Sequence, residues 1–327
     1  MLLNVVLVVA GLAVLAKAAD AFVVGAARLA VTLRLSPVVV GAVVLGFGTG
    51  APELLVSTLA AARGSLDIAA GNVVGSNLAN LTLVLGVAGV LARPRTLPRV
   101  VRREAPLSLA TVALFALMLQ GGLTRWEGLA LLAALAAAVL VMLRATAPGP
   151  DDPAVAEFVH EVEEVVEAPG EQALPDVAAA PVGRDWAGVA LGLLGTVAGA
   201  QLLVVGAQRI AADLRLSGGF VGLTLVAVGT SLPELVTAIQ SARRNETALL
   251  AGNVLGSNVF NSTAVGGIAA LVGPGVISDA GLTVVAASSM VAVAALAWLF
   301  LGRGGRLTRS EAVLLLAVYA GTLPFLG

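Results

Sequence analysis

Apolar residues in this chain of 327 residues run in long blocks instead of alternating with polar ones. Ten such blocks, of 17 to 27 residues, are long enough to cross a hydrocarbon core as helices. They lie at 2–27, 36–62, 68–91, 105–121, 126–143, 185–208, 217–242, 248–272, 280–301 and 308–326. A membrane β-barrel needs short segments in which apolar and polar positions alternate, and that pattern is missing here. The prediction is an all-α integral membrane protein with ten transmembrane helices. The first block, MLLNVVLVVAGLAVLAKAAD, has a signal-like apolar centre and an AKA triplet but no basic leader, and is read as the first span.

Composition agrees: 58% of residues are hydrophobic and 12% charged, half the roughly 25% charge of soluble domains. No basic patch with interleaved aromatics suggests nucleic acid. The absence of cysteine rules out disulfides and thiolate metal sites.

A shift of 181 residues lays the chain on itself. ADAFVVGAARLAVTLRLS (19–36) falls on AQLLVVGAQRIAADLRLS (200–217), GTGAPEL (48–54) on GTSLPEL (229–235), and AGNVVGSNLAN (70–80) on AGNVLGSNVFN (251–261). About 28 of 62 positions agree, and shared Pro, Glu, Asn, Ser and Arg at fixed spacing mark a true internal repeat. With five spans per copy, the second copy enters the membrane from the opposite side, which makes the repeats inverted. The expected units are a first repeat at 1–144, a linker at 145–183 and a second repeat at 184–327. With the N-terminus outside, fourteen arginines fall on inner loops and four (Arg63, Arg125, Arg209 and Arg215) outside. This bias predicts both termini outside and the linker in the cytoplasm. Residues 151–176 of the linker carry nine acidic residues and no Lys or Arg. The linker has no calcium-loop pattern and is read as a solvated connection, with His160, the one histidine, at its surface.

The stretch GFGTGAPELL (46–55) interrupts a span. Pro52 has no N–H and its ring collides with the carbonyl of Gly48, so two half-helices are expected, with Glu53 at the start of the second. Irregular backbone at membrane depth is tolerated only in protein or beside a cavity. A carboxylate at mid-membrane costs about 2.5–3.5 kcal/mol or more. The repeat places Glu234 after Pro233 in the equivalent break, and the two-fold relation brings both carboxylates to one central site. A divalent cation or two monovalent ones would satisfy both charges.

On the next span of each copy, Asn72, Ser76 and Asn80, and Asn253, Ser257 and Asn261, recur every four residues and line one helical face. Ser76, Asn80, Ser257 and Asn261 are candidate ligands, since hydroxyl and amide oxygens suit Na⁺, Ca²⁺ and Mg²⁺. Asn72 and Asn253 are open to either reading, ligand or hydrogen-bond partner between helices. Asn77 and Asn258 read as structural amides.

These paired motifs, GTGAPEL with GNVVGSNLAN and GTSLPEL with GNVLGSNVFN, closely resemble the α-repeats of the sodium/calcium exchanger family, within the cation/calcium antiporter superfamily. The resemblance covers both halves of the chain. It implies ten helices in two inverted repeats, residence in the cell (inner) membrane, and Glu53 and Glu234 as central Ca²⁺ and Na⁺ ligands. Thr49, Thr230, Ser231, Ser76 and Ser257 would add side-chain or backbone oxygens, and Asn80 and Asn261 amide oxygens. Two positions depart from the family pattern. Gly50 stands where Ser is usual, and Asn261 stands where some prokaryotic relatives carry Asp, which leaves two carboxylates in place of three.

The function expected is therefore secondary active exchange of Na⁺ for Ca²⁺ by alternating access, with the ions as cargo and no cofactor or catalytic residue. The alternative is a proton/calcium antiporter using the same carboxylates. A cation channel and an intramembrane hydrolase with paired acids are the other classes weighed. The hydrolase would need acids open to a water nucleophile.

Overall fold

The computed structural model describes residues 2–32, 37–92, 94, 98, 100–144, 182–213, 230–244, 246–277, 279, 281–303 and 306–322. The acidic linker with His160, and the first half-helix of the second repeat, lie outside the described residues. Eleven helical segments position the site: α1 (Leu2–Thr32), α2 (Gly41–Thr49), α3 (Ala51–Ala62), α4 (Leu66–Ala92), α5 (Ala105–Leu119), α6 (Arg125–Arg144), α7 (Val182–Asp213), α8 (Leu232–Arg243), α9 (Thr247–Val272), α10 (Gly281–Gly302) and α11 (Arg309–Thr322). An isolated β-bridge between Leu123 and Gly275 ties the α5–α6 turn to the end of α9.

The interruption falls where Pro52 predicts it. α2 and α3 are bent by 47° at a break of one residue, Gly50, and Pro52 sits in the first turn of α3, where its missing N–H costs nothing. Two helices outrun their apolar blocks. α1 has 31 residues and α7 has 32, each roughly 47 Å long at 1.5 Å per residue. Terminal charges such as Arg28 and Asp213 shorten the hydropathic block without ending the helix, and rods of this length must tilt or protrude. The last helix of each half opens with a capping box. Thr124 N donates to Glu127 Oε2 at 2.7 Å while Glu127 N donates to Thr124 Oγ1 at 3.3 Å, and Thr308 with Glu311 repeats the arrangement at 2.9 and 3.3 Å.

The copies also share their irregularities. Wide, π-helical turns begin at Asn80 and at Asn261, and again at Val100 and at Gly281. Both pairs are 181 positions apart.

α4 and α9 form the centre: 83% of each span is buried, against 22% of α6. α2 lies directly on the backbone of α9. A Cβ on Gly256 would stand 2.4 Å from Ala42 Cα, and one on Gly46 would stand 2.8 Å from Ser257 N. α1 and α7 pair along their length through a seam of small residues. A Cβ on Gly192 would meet Phe22 Cα at 2.7 Å, one on Gly195 would meet Ala18 Cβ at 2.7 Å, and one on Gly199 would meet Leu15 N at 2.5 Å. Such close approach is how helices associate in lipid, where apolar burial gives no drive. Large apolar side chains on the outer faces, including Leu3, Val9, Leu191, Leu194 and Leu140, are exposed, as a bilayer-facing surface requires.

Candidate cation-binding site

Glu53 and Glu234 each occupy the first turn of the helix after the interruption, α3 and α8. There the positive end of the helix dipole favours an anionic side chain. Both are fully buried, and Glu53 lies close enough to Glu234 to feel its charge. Glu53 Oε1 accepts two hydroxyl hydrogen bonds, from Ser76 Oγ of α4 at 3.4 Å and from Ser231 Oγ of the opposite repeat at 3.2 Å. Glu53 Oε2 and both oxygens of Glu234 have no hydrogen-bond partner. Thr230 flanks Glu53 and Thr49 flanks Glu234, each crossing to the other repeat's acid. The Thr49 hydroxyl proton goes to Leu45 O at 2.9 Å, which leaves its lone pairs facing the site.

Asn80 and Asn261, at the starts of equivalent wide turns, are fully buried with all side-chain polar atoms unpartnered. Ser257 Oγ donates to Gly46 O at 3.1 Å, so α9 grips a carbonyl of α2 one turn before the break. The structure thus brings together Glu53, Glu234, Thr49, Thr230, Ser231 and Ser76, sets Ser257 on a carbonyl of α2, and leaves the Asn80 and Asn261 amides without partners.

The two ambiguous asparagines differ. Asn72 is a clamp: its Nδ2 donates to Ser57 Oγ at 3.0 Å and to Glu53 O at 3.4 Å. Its counterpart Asn253 lies where the partner position of Ser57 is Ala238, and its amide atoms have no partner. Asn77 is structural, donating to Ser262 Oγ across the repeats at 2.9 Å. Asn258 has no such bond.

Burying an uncompensated carboxylate costs several kcal/mol, and neither acid meets a lysine or arginine among the described residues. The donor set is two carboxylates with neutral hydroxyl and amide oxygens, which is the hard set that Na⁺ and Ca²⁺ take. Among the described residues no group of three or more His, Cys, Asp or Glu gathers, so neutral oxygens must complete any coordination shell.

Phe260 was not legible from the motif. Its repeat equivalent is Ala79, and it fills the space beside Gly50, the equivalent of Ser231. A Cβ on Gly50 would stand 2.8 Å from the Phe260 ring, which also packs on Phe47 with centroids 4.9 Å apart. The clue was a double asymmetry between the copies: hydroxyl lost on one helix, aromatic gained on the facing one.

The sodium/calcium exchanger protein family matches residues 3–144 and 185–326, which are the two repeats. The chain belongs to this family. It is similar to the putative antiporter CaxA of Alkalimonas amylolytica, with 36% identity over 98% of both chains. It is also similar to the sodium/calcium exchanger MaX1 of Methanosarcina acetivorans, with 27% identity over 98% of this chain and 97% of that one. Among solved structures, the sodium-calcium exchanger NCX_Mj soaked with Na⁺ and Ca²⁺ superposes with a TM-score of 0.82 at 27% identity, covering 99% of this chain and 98% of that one. As a sodium/calcium exchanger family member, the chain is a multi-pass membrane transporter and not an enzyme, with ten helices in two inverted five-helix repeats.

Proposed function

We propose that this family member exchanges Na⁺ for Ca²⁺ by alternating access, with the cations held at mid-membrane between Glu53 and Glu234. The observation that carries the reading is the pair of buried carboxylates from opposite repeats, with three of their four oxygens unpartnered. One Ca²⁺ or two Na⁺ neutralise the pair, whereas the empty, doubly negative site is costly to move through a low-dielectric barrier. If a third Na⁺ joins the cycle, one net charge crosses per turnover, worth about 2.3 kcal/mol per 100 mV. α1 and α7, locked through their glycine seam, are the moving element against a core of α2–α4, α8 and α9. The arginine bias supports a topology with both termini outside the inner membrane.

The second reading, proton/calcium antiport, rests on the closeness of the two acids, since like charges at one site favour uptake of a proton when no metal is bound. Proteoliposomes with Na⁺, K⁺ and H⁺ gradients imposed separately distinguish the two. ⁴⁵Ca²⁺ accumulation is expected with the Na⁺ gradient alone, and accumulation driven only by a pH gradient would transfer the assignment to protons.

Phe260 and Gly50 make the site lopsided. Gly50→Ser is expected to impair exchange, because its Cβ meets a ring already held by Phe47. Adding Phe260→Ala is expected to restore exchange and to steepen its Na⁺ dependence, measured as the Hill coefficient. Wild-type behaviour in both variants would show that the ring does not shape the site.

A further inference from the structure

We propose that Glu234, Thr237 and Ser241 line the passage joining the central carboxylates to the membrane face at which α8 ends. This extends the cation-site reading above and rests on it. The three side chains are spaced by three and four residues, so they share one face of α8. They span roughly 10 Å along the axis at 1.5 Å per residue, about a third of the hydrocarbon thickness. All three are fully buried, yet neither carboxylate oxygen of Glu234, nor Thr237 Oγ1, nor Ser241 Oγ has a hydrogen-bond partner.

A buried helical hydroxyl has an easy remedy, the carbonyl four residues earlier. Thr49, Thr82, Thr196 and Thr263 all take it, at 2.9, 2.5, 2.7 and 2.5 Å. Thr237 and Ser241 do not, although they are equally buried, so their hydroxyls are free for a guest. The other repeat lacks this file of hydroxyls. The equivalents on α3 are Val56 and Ala60, both partly exposed. The one hydroxyl that α3 buries beyond its acid, Ser57, is fully engaged, donating to Ala69 O at 3.3 Å and accepting from Asn72. α9, packed against α8, adds Asn253 with both amide atoms unpartnered. At the foot of the face Glu246 N donates to Ser241 O at 2.8 Å, which places an acidic residue where the passage meets the loop. Hydroxyl and amide oxygens in file are what a cation exchanges for hydration water as it enters. With both termini outside, this exit is the cytoplasmic one.

The chain contains no cysteine, so single-cysteine variants need no background changes. In proteoliposomes, Thr237→Cys and Ser241→Cys are expected to react with a membrane-impermeant, cationic thiosulfonate added at the α8-terminal face only, and to be protected by Ca²⁺. Val56→Cys and Ala60→Cys are expected to stay unmodified from that face. The double variant Thr237→Val/Ser241→Ala is expected to keep Ca²⁺ binding, measured calorimetrically in detergent, while turnover falls about tenfold, the scale of one lost hydroxyl contact. Absence of modification from that face, or a double variant that turns over at the wild-type rate, would overturn the passage while leaving the central site standing. The central site itself stands or falls on Ca²⁺ binding to Glu234→Gln.

Discussion

Glu234→Gln is expected to bring ion exchange to background in proteoliposomes while the protein remains folded, and Glu53→Gln is expected to do the same. Removing one charge from a buried, compensated set costs about 3–5 kcal/mol, or two to three and a half decades in Ca²⁺ affinity. Both variants lose the like-charge repulsion, so the apo protein should gain thermal stability in each. Glu53 Oε1 accepts from Ser76 and Ser231, and a Gln carbonyl keeps that role, so the interface between the repeats stays knit. The Glu234 oxygens have no such bonds, so its amide forfeits none. The measurements are ⁴⁵Ca²⁺ exchange, calorimetric Ca²⁺ titration and a melting curve of the apo protein. Undiminished transport in either variant would remove that residue from the site.

The second large effect lies away from the ions. Gly199→Ala is expected to cut turnover by about tenfold or more, because a single methyl there stands 2.5 Å from Leu15 N and 2.8 Å from Leu15 Cα, and overpacking costs about 1–3 kcal/mol. Those atoms are backbone and cannot swing aside, so the helices must part. Gly188→Ala is the matched control: it lies on the same helix with nothing within 4 Å of its added Cβ, and should transport normally. Ca²⁺ binding at the central acids should survive in both, since neither glycine touches them. Equal turnover in the two variants would show that the α1–α7 seam plays no part in the transport cycle.

The sequence made the broken span legible because Pro52 acts locally: a missing N–H interrupts a helix whatever surrounds it. The central acids were legible because the repeat supplies a symmetry operation, and a two-fold axis brings equivalent residues together without coordinates. The seam between α1 and α7 was harder to foresee, since glycines are frequent throughout the chain and only the facing helix shows which of them are crowded. Asn72 and Asn253 stayed ambiguous for a related reason. Their sequence contexts are nearly the same, and the difference lies across the interface, in Ser57 against Ala238. The reach of α1 beyond its apolar block was invisible to hydropathy, which measures lipid contact and not helix length.

The wide turns at Asn80 and Asn261 have a consequence for how the protein can shift shape. A π-helical turn holds one surplus residue, so the stretches before and after it are out of phase by about 100° relative to an unbroken α-helix. Everything beyond it, including Gly86 and Gly89 where α4 meets Leu316 and Leu307, is aimed by that surplus. A surplus can be handed along a rod turn by turn, rotating what it passes while most of the backbone ladder stays closed. Each repeat therefore begins its surplus turn at a buried asparagine whose amide atoms have no partner, so the side chain there is not pinned against such a rotation.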